Sequence, residues 1–126
     1  MTRRLRAALV AAFVGAMPVV ASAATLDIPG PYGNETGCKV LAGGAYASDD
    51  KLILRPDSIE AHESICEFVE VLPTKDGAAV VTGYCQGEGA LWARQYVVSA
   101  ADPENSNRRQ IFVGDGEFWA EVGPCE

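Results

Sequence analysis

Four cysteines, Cys38, Cys66, Cys85 and Cys125, constrain what this 126-residue chain can fold into more than any other feature. No two of them have the C-x2-C spacing of a zinc site, and an even number favours four bonded sulfurs over a reactive thiol. Whether they bond depends on the compartment, and the N-terminus indicates which one. Arg3, Arg4 and Arg6 stand without an acidic neighbour, Ala7 to Val20 carry no charge, and Ala21-Ser22-Ala23 places small residues where a signal peptidase cuts. Residues 1–23 therefore read as a cleavable signal peptide, with the mature chain starting at Ala24. The uncharged run is shorter than the roughly 20 residues a membrane-spanning helix needs, and Pro18 interrupts it. Arg6 stands where a twin-arginine signal has an apolar residue, so general secretion is expected. The expectation is a periplasmic or secreted protein in which residues 24–126 form one disulfide-stabilised β domain.

A domain of about one hundred residues buries roughly two thirds of its unfolded surface, enough for a single modest core, and each disulfide adds roughly 2 to 4 kcal/mol. Ala24 to Gly44, rich in glycine with Pro29 and Pro31, reads as an irregular lead-in. Beyond it, short β-type runs alternate with turn signals: Leu52 to Leu54, Ile59 to His62, Ile65 to Leu72, Ala78 to Cys85, Leu91 to Val98, Gln110 to Val113 and Phe118 to Val122. No window reads as an amphipathic helix. The fold class is all-β, a small antiparallel meander closing into a barrel or a sandwich.

Two hairpins can be registered by counting. If Lys75 and Asp76 form the tip of the first, Leu72 opposes Ala79, Phe68 opposes Gly83 and Cys66 opposes Cys85, within reach of a disulfide. Cys38 and Cys125 are then left to join the two ends of the mature chain. The sequential pairing, Cys38 with Cys66 and Cys85 with Cys125, remains the alternative. In the second hairpin Asp115-Gly116 suits a two-residue turn, which pairs Val113 with Phe118 and Ile111 with Ala120 on the core face and Phe112 with Trp119 on the outer face.

Chemistry-bearing motifs are sparse. Nucleophile elbow, phosphate loop, dinucleotide fingerprint and HExxH are all missing from the sequence, and no cofactor or metal is expected. The single histidine, His62, shares a strand face with Glu60. Glu88 sits between two glycines, close to Trp92. Asp49-Asp50 lacks the spaced oxygens of a calcium loop, and Asn34-Glu35-Thr36 is a glycosylation sequon. Trp92, Arg94 and Tyr96 share one face of a strand, while Phe112 and Trp119 share another. These five residues with Glu88 form the candidate binding set, since rings beside charges can stack on sugars or anchor a protein. A small barrel can also take the rings into its core.

All seventeen carboxylates follow residue 23 but only seven of the ten Lys and Arg residues do, giving the mature chain a net charge of about −10. Such a surface repels nucleic acid and anionic membranes and attracts cationic partners.

Pro31-Tyr32-Gly33 before Cys38, Cys66-Glu67-Phe68, Cys85-Gln86-Gly87-Glu88-Gly89 and the near-terminal Cys125 together resemble a family of small exported four-cysteine proteins of Gram-negative bacteria. The resemblance covers nearly the whole mature chain and implies no activity. In size, export and β-content the chain is also similar to periplasmic inhibitors of lysozyme or of secreted proteases. The Tyr-x-Cys-x-x-Gly motif of the lysozyme inhibitors is not reproduced, the nearest stretch being Tyr84-Cys85-Gln86-Gly87. The expected function is an exported acidic binding protein, with inhibition of a basic partner protein as one form of it. A cell-wall saccharide-binding module and a small hydrolase using Glu88 or His62 are the alternatives.

Overall fold

The structure, a computed structural model, describes residues 10–18, 24–44 and 48–126. The charged start of the expected signal peptide and the residues before its cleavage point lie outside the described residues; 10–18 are exposed and carry no regular secondary structure. The elements run β1 (Tyr32–Gly33), α1 (Glu35–Leu41), β2 (Leu52–Leu54), β3 (Ser58–Ala61), β4 (Ser64–Pro73), β5 (Ala79–Gly87), β6 (Ala90–Val98), a 3-10 turn at Pro103–Asn105, β7 (Arg109–Val113) and β8 (Glu117–Pro124). Each strand pairs antiparallel with the next and β8 returns to β1, closing an eight-strand up-and-down barrel. Among the described residues no helix is long and apolar enough to cross a membrane.

Strand alternation sorts the side chains. On β5, Ala79, Val81, Gly83 and Cys85 are buried, while Val80, Thr82, Tyr84 and Gln86 face outward. An eight-strand barrel has an interior just wide enough for side chains to fill. Tyr32, Leu54, Ile59, Phe68, Val81, Tyr96, Val98, Ile111 and Val122 fill it here. Leu26 and Ile28 are buried against the same cluster, and the Leu26 amide donates to the Pro56 carbonyl at 2.7 Å. The lead-in thus lies across one end of the barrel.

Cys66 bonds the cysteine that the hairpin register sets opposite it, and the two left over bond each other. Cys66 and Cys85 are directly opposed, with Cα atoms 4.0 Å apart, and Cys38 bonds Cys125 at a Cα separation of 5.2 Å. Phe68 opposes Gly83 as expected, but Leu72 opposes Val80 rather than Ala79. The cause is a three-residue turn, Lys75-Asp76-Gly77, with Gly77 in the left-handed region that a glycine adopts without strain (φ 88°). This shifts the ladder by one residue, and a bulge at Val69 shifts it back before the cysteines.

The last hairpin departs in the same way. Its loop is Gly114-Asp115-Gly116, so Val113 opposes Glu117 and Phe112 opposes Phe118, and only beyond a bulge at Trp119 does Ile111 meet Ala120. The bulge turns Trp119 toward the core and leaves Phe118 54% exposed, the reverse of the expected faces.

The lead-in, expected to be irregular, contains two regular elements, β1 and α1. Asn34 starts α1: its Oδ1 accepts from the Gly37 amide at 2.8 Å and also from the Leu52 amide at 3.1 Å. The carboxamide is thereby committed to the fold. Helix α1 packs over Ile53, which points out of the barrel and is nevertheless fully buried. Only glycine allows that approach, because a Cβ at Gly37 would stand 2.1 Å from the Leu52 carbonyl oxygen.

Candidate functional site

The hairpin tips His62-Glu63, Glu88-Gly89 and Gly114–Gly116 share one end of the barrel with α1, here called the upper end. β1 decides the geometry there. It pairs with β8 only at Gly123 and Pro124 and with β2 only at Ile53 and Leu54, after which the chain turns away into α1. Among the described residues, Glu117–Val122 of β8 therefore have no strand partner on the β1 side. The seam above β1 is open, and a cavity of about 420 Å³ lies in it, lined by Asp49, Asp50, Lys51, His62, Trp119 and Glu121 among others.

Each wall of this slot is fixed by local bonding. Asp50 accepts from the Thr36 hydroxyl at 2.7 Å, and its backbone carbonyl takes the Asn34 side-chain amide. The Thr36 and Ser48 hydroxyls hold the Asp50 carboxyl below its ordinary value. His62 stands at the hairpin tip with Nε2 3.7 Å from Asp49 and 3.4 Å from Glu63. Glu60, expected beside His62, turns instead to Arg55 at 3.4 Å. Across the slot, Glu121 lies 2.5 Å from Nε of Arg108.

Of the candidate binding residues, Trp92, Tyr96 and Trp119 come together in the upper half of the barrel, and Arg94, itself exposed, reaches the Trp119 ring. Tyr96 is 2% exposed; its hydroxyl donates to Sγ of Cys66 at 3.0 Å and lies 3.9 Å from Sγ of Cys85. Trp119 stacks on Tyr96 with ring centroids 5.8 Å apart, and the Arg94 guanidinium sits 5.7 Å from the Trp119 ring. Burial raises the Tyr96 phenol above its ordinary value, against a partial pull from Arg94. Trp92 opposes Cys85 and packs on the same core. These rings belong to the core, and Tyr96 has no face left for a ligand.

Phe112 and Glu88 stand apart from that group. Phe112 points out of the barrel, edge-on to Phe118 at 5.8 Å. Glu88 is exposed at its tip with left-handed backbone (φ 48°), and Glu63 at the neighbouring tip is left-handed too (φ 60°). A hydrogen bond and the charge of Glu63 hold the Glu88 carboxyl above its ordinary value, with His62 acting the other way. Among the described residues no cluster of three or more His, Cys, Asp or Glu side chains is arranged to hold a metal ion.

Sequence reasoning did not connect Asp49, His62 and Glu121, which lie far apart in the chain. The one local signal was Asn34 followed by Glu35, a helix-start pattern, which fixes where β1 ends. Comparison with protein families, with curated proteins and with solved structures gives no match.

Proposed function

We propose that this protein binds a basic, extended segment of a partner protein along the open seam beside β8. The observation that carries the reading is the unpaired upper half of β8 next to a slot whose walls include Asp49, Asp50 and Glu121. An unpaired strand edge offers amide and carbonyl groups for one more strand, and main-chain pairing supplies affinity while side-chain pockets supply specificity. A Lys or Arg side chain of the added strand meets carboxylates in the slot, and the charge of the whole chain steers the approach. Covering a basic partner in this way masks its cationic surface, which is how such a protein inhibits. The buried position of Tyr96 and the engagement of Trp119 by Tyr96 and Arg94 weigh against sugar stacking on the same rings.

The test is capture from an envelope extract at low ionic strength, followed by cross-linking and mass spectrometry. Cross-links should fall on Lys51 or on carboxylates of the seam. Capture should fade as salt rises from about 0.01 M to about 0.15 M, where the screening length contracts from about 30 to about 8 Å. Capture that survives that change, or cross-links confined to the opposite wall of the barrel, would remove the proposal.

A further inference from the structure

The lower end of the barrel holds a second cavity, also of about 420 Å³, between the lead-in and the start of β5. Its walls mix apolar residues, Leu26, Ile28, Val71 and Ala79, with polar ones such as Asp27 and Thr74, and Arg109 borders it from β7. Arg109 alternates with Ile111 and Val113 and so faces inward, half-buried. Its guanidinium lies 5.4 Å from the Tyr32 ring, and Nη1 donates to the Ser99 carbonyl at 3.2 Å. Nε is sealed from solvent with no acceptor. Among the described residues no carboxylate stands within ion-pair distance of this cation, although acidic residues exceed basic ones by ten beyond residue 23.

A half-buried cation without a counter-ion is costly, and a concave site that sets apolar residues beside a few placed polar groups is how small-molecule sites are built. We propose that this cavity binds a small amphipathic monocarboxylic acid, its carboxylate on Arg109 and its apolar body against Leu26, Ile28, Val71 and Ala79. Asp27 also lines the cavity and sets the charge limit, because a dianion such as a phosphate monoester meets its repulsion while a monoanion gains the guanidinium at lower cost. The lead-in is part of the site: Leu26 and Ile28 form one wall, held by the Leu26 amide on Pro56.

Decanoate, methyl decanoate and decyl phosphate are titrated into the oxidised, exported protein while backbone amide resonances are followed. Decanoate should bind more tightly than the ester by about tenfold or more, the ratio expected for one charge-assisted contact, and more tightly than the phosphate, with shifts centred on Leu26, Ile28, Ala79 and Arg109. Arg109→Gln should erase the preference for acid over ester, and Val71→Trp should block both by filling the cavity. Equal affinity for acid and ester in the unaltered protein would overturn the proposal whether or not the variants fold. So would shifts confined to the outward-facing row Leu72, Val80, Val97, Phe112 and Phe118, which would mark adsorption on the outer wall.

Discussion

One wall of the barrel is over-determined and the other is barely closed. β4 and β5 are joined by eight registered pairs and β5 and β6 by nine, whereas β1 gives two to β2 and two to β8. Each wall has a disulfide, and the two bonds do different work. Cys66–Cys85 spans 19 residues within a hairpin that its own ladder already holds, while Cys38–Cys125 spans 87 and crosses the seam where pairing is thinnest. The lesson is that a closed barrel need not be uniformly stable. Here covalent closure, a helix cap and a glycine contact replace the hydrogen bonds that a longer β1 would have made, and the gap this leaves is the slot beside β8.

The sharpest way to break that comparison is to remove the bonds one at a time. Loop-closure entropy assigns about 4.5 kcal/mol to Cys38–Cys125 and about 3 kcal/mol to Cys66–Cys85. A Cys38→Ser, Cys125→Ser protein should therefore unfold at lower urea concentration than the Cys66→Ala, Cys85→Ala protein, and it should lose amide protection first in β1 and β2. Mild reductant should also open Cys38–Cys125 first, because its sulfurs belong to half-buried residues whereas Cys66 and Cys85 are buried. The reverse order of stability would mean that packing of the inner bond within the core outweighs loop length.

A smaller contrast separates two glycines. Gly37→Ala drives a Cβ to within 2.1 Å of a backbone oxygen on the seam side, where relief requires α1 to move off β2. A loss of about 3 kcal/mol is expected, at the upper end for overpacking. Gly83→Ala on the well-paired wall meets Cβ of Cys66 at 3.1 Å, and about 1 kcal/mol is expected there. Equal losses in chemical denaturation would show that α1 yields as easily as the hairpin does. Below these stands Asn34→Ala, which removes the acceptor shared by Gly37 and Leu52 and should cost about 1 to 2 kcal/mol. Asn34→Asp keeps the acceptor and should recover part of that loss.

The well-paired wall is also the part that could be read from sequence. Alternation and turn residues located seven strands, and counting from Lys75-Asp76 put Cys66 opposite Cys85. The count succeeded through cancellation, since the third turn residue, Gly77, and the bulge at Val69 displace the ladder in opposite senses. In the last hairpin the third loop residue displaces the ladder and the bulge at Trp119 restores it only from Ala120 on, so Phe118 and Trp119, which lie between the two, exchanged faces. On the seam side, two residues are too few to show alternation, and the helix Glu35–Leu41 has a glycine at its centre and no apolar period. The candidate slot was illegible for a related reason: Asp49, His62 and Glu121 meet only because β1 stops at Gly33, and no local pattern encodes that stop except the Asn34 cap.

The last contrast concerns the upper tip of the strong wall. Glu88 holds a left-handed conformation (φ 48°) beside Gly89, a turn that asparagine followed by glycine adopts more readily. Its carboxyl is raised by Glu63 at the next tip, so the folded chain holds that proton more tightly than the unfolded chain does. For a carboxyl whose folded pKa is raised, stability falls as pH climbs from the unfolded value near 4.5 through the folded one, and the penalty is complete above it. Glu88→Asn removes both the backbone strain and the repulsion. Its Tm should rise by about 2 °C at neutral pH, the smallest of these effects. Well below pH 4 the Glu88 carboxyl is protonated in the folded and unfolded chains alike, and only the turn contribution should remain. A gain of the same size at both pH values would assign the effect to the backbone alone, and no gain at either would mean that Glu63 and Glu88 stabilise their tips as they stand.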